Sequence, residues 1–96
     1  MTRQSPTLHD LFWADASVLS VTRDEAARTV ILQCRDYCDN ALTIVFKGST
    51  HLQLNDRVYI IKSCLSKVDC QERLQLSDDD GVVFDVTYDQ ATVHWE

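Results

Sequence analysis

Glycine and proline are scarce in this chain of 96 residues, which has two glycines and one proline. A small β protein usually places both residues in its turns, so their scarcity predicts turns built mainly from Asp, Asn and Ser. Two glycines also leave few places where the backbone could approach a phosphate, and no P-loop or nucleophile elbow is present. A Cys–His pair stays possible, but no catalytic motif supports it, and the sequence predicts a protein that is not an enzyme.

Long hydrophobic segments are also missing. No stretch approaches the roughly 20 apolar residues that span a bilayer, and Met1 to Asp10 lacks the apolar run of a secretory signal. The length fits one domain over residues 1–96. We therefore expect a single cytoplasmic domain.

Basic residues are absent from the last fifth of the chain. Residues 77–96 contain six acids and no Lys or Arg, whereas the other residues carry nine acids and nine bases, so this segment holds the whole net charge of −6. An acidic surface argues against direct nucleic-acid or membrane binding, which needs cations. It favours a partner protein with a basic surface.

The hydrophobic pattern has a period of two along most of the chain. Leu42, Ile44 and Phe46 share one face of a predicted strand, and Val30, Leu32 and Cys34 share another. Similar alternation covers 82–88 and 91–95, which are separated by Asp89-Gln90, the length of a tight hairpin turn. The pattern predicts an all-β fold, a small antiparallel sandwich or curved meander of about seven or eight short strands.

Two segments are ambiguous. Residues 6–15 could form a helical turn with Pro6 near its start. Residues 56–73 combine strong strand propensity from Arg57 to Ile61 with a possible helical stripe. The stripe runs through Ile60, Ile61, Cys64, Leu65 and Val68. We favour strand here and leave open one short helix within 56–70.

Cysteines and acidic motifs offer candidate metal sites, none of which is convincing. Cys34, Cys38, Cys64 and Cys70 lack the spacing of zinc knuckles, and reduced structural thiols are favoured over disulfides or metal ligation. His9-Asp10 lacks the further ligands of a metal-binding dyad and is interpreted as a local cap or a hydrogen-bonded pair that pins the N-terminal segment. The run Asp78 to Gly81 would place Leu76 at the first ligand position of a calcium loop. We predict no metal and no cofactor.

The predicted partner-binding surface is the acidic side of the C-terminal hairpin. Val82, Phe84, Val86, Val93 and Trp95 form its structural side. Trp13 is either a lid over the core or an exposed anchor of the kind found at interface hot spots. The predicted partner-binding residues are Asp78, Asp79, Asp80, Asp85, Asp89, His94, Glu96 and Trp13.

The first half resembles small bacterial all-β proteins that include immunity proteins of polymorphic toxin systems. The resemblance rests on Leu8-His9-Asp10, on the runs 17–21 and 28–32, and on Leu42 to Gly48, which matches a recurring apolar-Thr-apolar-apolar-Phe-x-Gly strand. It covers about 40 residues, less than half of the chain of 96. The resemblance implies a cytoplasmic, non-enzymatic inhibitor that neutralises a toxin by occluding it, and it transfers no specific binding residues.

Other functions stay open at this point. A phage-encoded inhibitor of the anti-CRISPR type, with charge resembling nucleic acid, would suit the same acidity and size. A self-associating structural module, as a homodimer, would use exposed strand edges. A small ligand-binding or enzymatic β domain would need a polar pocket containing His9, His51 or His94.

Overall fold

The alternating segments form strands in the computed structural model, which describes residues 13–55 and 59–95. These residues form two antiparallel sheets and contain no helix. The strands are β1 (Ala16–Asp24), β2 (Thr29–Arg35), β3 (Ala41–Lys47), β4 (His51–Leu54), β5 (Tyr59–Ile60), β6 (Lys62–Val68), β7 (Gln71–Asp78), β8 (Gly81–Tyr88) and β9 (Gln90–Trp95). The all-β prediction is confirmed, with nine strands in the described residues rather than seven or eight.

The chain crosses between the sheets through very short links. The first sheet has the order β5-β1-β2-β3-β9, and the second has the order β4-β8-β7-β6. Residues 48–50 connect β3 to β4, Ile61 connects β5 to β6, and Asp89 connects β8 to β9. These links hold the sheets face to face, so that both can bury their apolar sides in one core.

The core lies between the sheets and contains most of the side chains on the predicted apolar faces. Phe46 of the first sheet packs against Phe84 and Tyr88 of the second, with ring centroids 5.9 and 4.9 Å apart. Cys34 is fully buried among these residues. The other largest fully buried side chains are Leu32, Ile44, Ile60, Leu74, Leu76, Val30, Val83, Val86 and Val93.

The segment 82–95 does not form the predicted hairpin. β8 pairs with β4 and β7, whereas β9 pairs with β3 in the other sheet. The apolar faces of both strands therefore approach the same core from opposite sides, which a hairpin within one sheet could not achieve. Asp89 makes the crossing, and its backbone N–H donates to the Lys47 carbonyl at 2.9 Å.

A register shift in β8 changes which valine is buried. The pairing with β7 shifts between Leu76 and Ser77, so that Val82 rather than Val83 faces Ser77. Val83 is fully buried and Val82 only partly, which corrects the prediction that Val82 belongs to the buried face. Phe84, Val86 and Tyr88 occupy the inner face as predicted.

The ambiguous segment 56–73 contains strands and no helix in the part that the structure describes. Tyr59 and Ile60 pair with β1, and Lys62 to Val68 pair with β7. Of the supposed helical stripe, Ile60 is buried but Cys64 and Val68 are exposed. The helical periodicity there was coincidental, because β6 is an edge strand with few buried side chains. Most of the predicted turn at 6–15 lies outside the described residues.

Aspartates occupy several turn positions with positive φ, a conformation in which glycine is common. Asp15, Asp39 and Asp69 have φ values of 64°, 66° and 57°, in the left-handed region where Asp is tolerated better than most side chains. The sequence prediction of turns rich in Asp is confirmed.

Candidate functional site

The acidic run at 78–80 forms the turn between β7 and β8. The Asp78 carboxylate accepts hydrogen bonds from the backbone N–H groups of Asp80 at 2.8 Å and Gly81 at 3.1 Å. This local bonding fixes the turn. Asp79 and Asp80 are exposed at its tip, so two of the three predicted carboxylates point into solvent while Asp78 holds them in place.

A second acidic turn connects β2 to β3. The Asp36 carboxylate accepts hydrogen bonds from the backbone N–H groups of Cys38 and Asn40, both at 2.9 Å. Desolvation raises the pKa of Asp36, but these bonds, with one from the Asn40 side chain, hold it below its ordinary value. Tyr37 lies between the bonded residues and is 58% exposed. The turn thus presents an aromatic ring next to a fixed negative charge.

Strand pairing connects these two turns along one end of the molecule. In the first sheet, Arg35 pairs with Ser17, and Ser17 pairs with Tyr59. The next step crosses to the second sheet, where the Ile61 backbone N–H donates to the Ser77 carbonyl at 2.8 Å. Asp36 follows Arg35 and Asp78 follows Ser77, so the two turns flank a continuous path of neighbouring backbone.

We call this region the acidic end; its charged residues are Asp15, Arg35, Asp36, Asp39, Lys62, Asp78, Asp79 and Asp80. The described residues there include six acids and two bases. Arg35 is already engaged by Asp39 at 3.1 Å. Negative charge is therefore concentrated at this end, but of the predicted acids only Asp78, Asp79 and Asp80 lie here, and the other three come from turns outside the C-terminal segment.

Exposed apolar side chains accompany the acids. Tyr37, Tyr59 and Ile61 at the acidic end are 58, 49 and 38% exposed. The Tyr59 hydroxyl donates to the Asp15 carboxylate at 2.5 Å, and this bond raises the pKa of Tyr59. Aromatic groups surrounded by polar ones are typical of the centre and rim of protein interfaces.

The remaining predicted binding residues are scattered. Asp89 lies at the opposite end, where its carboxylate accepts a hydrogen bond from Gln71 at 2.9 Å. His94 is exposed on the outer face of β9. Glu96 lies outside the described residues. Of the two proposals for Trp13, the structure favours the lid, because the side chain is 5% exposed and belongs to the core.

Asp85 was wrongly placed on an exposed acidic face. Its side chain is 2% exposed on the outer side of the second sheet, covered by Arg73. Arg73 donates from Nε to Oδ1 at 2.9 Å and from Nη2 to Oδ2 at 2.6 Å, and Gln75 donates to Oδ2 at 3.4 Å. These bonds, led by those from Arg73, lower the pKa of Asp85.

The Arg73–Asp85 pair was not predicted from the sequence, since its partners are 12 residues apart and belong to different strands. A shallow groove of about 380 Å³ lies beside it, lined by residues that include His51, Arg73 and Thr87. His51 Nε2 is 3.8 Å from the Asp85 carboxylate. Arg73 and Asp85 satisfy each other's charge and hydrogen-bonding groups, so the main role of this cluster is to link β7 to β8.

Metal-ligating residues are dispersed over the part of the chain that the structure covers. Within residues 13–55 and 59–95, no group of three or more His, Cys, Asp or Glu side chains is arranged to hold a metal ion. His9 and Asp10 lie outside those ranges. A search of the same residues for a helix long and apolar enough to cross a membrane finds none.

Comparison with known proteins supports the fold and gives no information on the function. No protein-family model and no curated protein matches the chain. The chain is similar in structure to an uncharacterized protein from Neisseria gonorrhoeae, known from a crystal structure, with a TM-score of 0.66 and 12% sequence identity. The match covers 86% of this chain and 93% of that one. At this identity the similarity supports the fold alone.

Proposed function

We propose that this protein binds another protein with a basic surface, and that the acidic end is its binding site. The observation that carries the proposal is Tyr37, an aromatic side chain that is 58% exposed in a turn fixed by Asp36 and flanked by further acids. A rigid turn loses little conformational entropy on binding, so an anchor residue there contributes more of its contact energy to affinity.

The two kinds of residue at this end have different roles. Tyr37, Tyr59 and Ile61 offer apolar area for a buried centre. The exposed carboxylates of Asp79 and Asp80 would lie at the rim, where charges mainly raise the association rate and give it a dependence on salt. A basic partner would be steered to this end because most other charges on the described surface are balanced.

The mode of action that fits these features is inhibition by occlusion in the cytoplasm. The resemblance of the first half to immunity proteins supports this proposal, with a toxin that has a basic substrate cleft as the partner. Leu42 to Gly48, which carries part of that resemblance, belongs mainly to the interior strand β3 and is a scaffold for the acidic end. In this proposal the acidic end acts by binding and has no catalytic role.

The test compares proteins captured from an extract of the native host by three immobilised baits. The first bait is the unchanged protein, and the second carries Asp78→Asn, Asp79→Asn and Asp80→Asn. Asn at 78 keeps an acceptor oxygen for the turn, so the charge is removed with little change in structure. The third bait is a matched control at the opposite end, with Asp24→Asn, Glu25→Gln and Asp69→Asn.

We expect a basic protein that the first and third baits retain and the second loses. With that protein purified, surface plasmon resonance should show association with the second bait slowed about tenfold at low ionic strength. Tyr37→Ala should instead accelerate dissociation by about tenfold, the effect of losing an interface anchor. Equal association of all three baits at low ionic strength would refute the proposal.

A further inference from the structure

The outer face of the first sheet carries a patch without formal charge. Strand register places Thr22, Ile31 and Val45 in one row across β1, β2 and β3, and Ser20, Gln33 and Thr43 in the next row. A quarter of the chain's residues are charged, but none of these six is. We call these two rows the neutral face.

The neutral face is ordered and partly apolar. Ile31, Thr43 and Val45 are half-buried by their neighbours, and the Ser20 hydroxyl donates to the Gln33 side chain at 2.7 Å. This bond ties the long Gln33 side chain to the sheet surface. Depletion of charge from a patch with ordered side chains is the compositional signature of an interface centre.

Charged residues of both signs border the neutral face. At one end, Asp24 of β1 and Lys47 of β3 both pair with Thr29 of β2, and both side chains are exposed. They therefore lie on either side of β2, one strand away from it in each direction. At the other end, Arg35 forms its ion pair with Asp39.

The border formed by Asp24 and Lys47 is self-complementary, and Arg35 of β2, which would face its own copy, is already neutralised by Asp39. Consider a second copy that is rotated by 180° about an axis parallel to β2 and packs its first sheet against the first sheet of the original copy. In this dimer, β3 of each copy lies over β1 of the other. Asp24 of each copy would then meet Lys47 of the other, while Ile31 would lie on the axis. Face-to-face packing of twisted sheets at about −30° is a common arrangement.

We infer that the neutral face is a two-fold interface between two copies of this chain. Its self-complementary border favours a second copy over an acidic or a basic partner, either of which would leave one charge of each border pair unmatched. The inference concerns a different surface from the acidic end and does not rest on the proposed function.

The size of the neutral face sets the expected strength of the dimer. The neutral face together with its border rows covers three strands about 4.8 Å apart and about seven residues long, which at about 3.3 Å per residue gives roughly 400 Å² per copy with side chains included. That is about half of the roughly 800 Å² per partner in a standard interface. We therefore expect a weak dimer that forms at micromolar to millimolar concentration.

Sedimentation velocity over that concentration range tests the inference. The unchanged protein should shift from monomer to dimer, and Val45→Lys, on the β3 side of the neutral face, should weaken the dimer at least about tenfold, because it buries a charge. Thr22→Lys, at an exposed position of the same row, should act likewise and serves if Val45→Lys fails to fold. Gln53→Lys, which adds the same charge to the exposed outer side of β4, should leave dimerisation unchanged.

A charge exchange distinguishes the two-fold arrangement from other contacts. Lys47→Asp alone and Asp24→Lys alone should each weaken self-association by about tenfold, because each puts like charges opposite one another twice. An equimolar mixture of the two variants should regain the affinity of the unchanged protein, since both borders match again. A protein that stays monomeric throughout the range, a dimer indifferent to both Val45→Lys and Thr22→Lys, or a mixture no tighter than its components would overturn the inference.

Discussion

Arg73 donates two parallel hydrogen bonds to Asp85, at 2.9 and 2.6 Å, and the carboxylate that receives them is 2% exposed. The pair joins adjacent strands β7 and β8 on the outer face of the second sheet. A buried carboxylate without its cation would be costly, so the stability of this sheet depends on both partners being present.

Arg73→Gln should therefore destabilise the protein by about 2–3 kcal/mol, because it leaves the buried Asp85 charge without its cation. Asp85→Asn in the same background should recover part of this loss, since a neutral amide costs less to bury. Urea unfolding followed by circular dichroism measures both changes. A loss below about 0.5 kcal/mol for Arg73→Gln would show that the pair does not hold the sheet.

The contribution of the Arg73–Asp85 pair to stability should depend on pH. The hydrogen bonds from Arg73 lower the folded-state pKa of Asp85 below the unfolded value of about 3.9. The stability that this provides is fully present above about pH 4–5 and is lost as pH falls through the folded-state pKa. The melting temperature of the unchanged protein should fall more steeply below pH 4 than that of Arg73→Gln. Parallel pH profiles for the two proteins would contradict this prediction.

Gly48 should not tolerate a side chain. Its φ is 72°, and an added Cβ would lie 2.2 Å from the Asp89 carboxylate, where the chain crosses between the sheets. We expect Gly48→Ala to cost about 2 kcal/mol in the free energy of unfolding, from backbone strain and displacement of Asp89. The matched control is Gly48→Ala combined with Asp89→Gly, which removes the three Asp89 atoms that lie 2.2, 2.7 and 2.9 Å from the added Cβ. Thermal denaturation should show a smaller loss from Gly48→Ala in the Asp89→Gly background than in the unchanged protein, and an equal loss in both would refute the steric argument.

The four thiols should fall into two classes. Burial raises the pKa of the Cys34 thiol to about 12, whereas Cys38, Cys64 and Cys70 are exposed. Titration of the folded, reduced protein with a thiol reagent at pH 8 should show three accessible groups, and the fourth should react only as the protein unfolds. Replacing Cys34 with Ser should abolish the slow phase. Fast reaction of all four groups in the folded state would show that Cys34 is not enclosed by the core.

The sequence alone determined the fold class and most of the strands. Alternation at 42–46 and 30–34 identified β3 and β2 because a side-chain period of two leaves a clear signature when one face is buried. Aspartate-rich turns followed from the shortage of glycine. These features are local, and each is encoded within a few neighbouring residues.

Only the tertiary structure decided which of those elements meet. Asp89-Gln90 resembles a hairpin turn, but the chain uses it to change sheets, because β9 completes the first sheet beside β3. Asp85 resembles an exposed acid, but Arg73, from a different strand, encloses it. The acidic end likewise joins Asp36 to the run at 78–80, although 42 positions separate Asp36 from Asp78 along the chain. Pairing between strands that are distant in sequence depends on how whole strands and sheets pack against one another. The local hydrophobic pattern of a single strand does not encode which partner it will pair with.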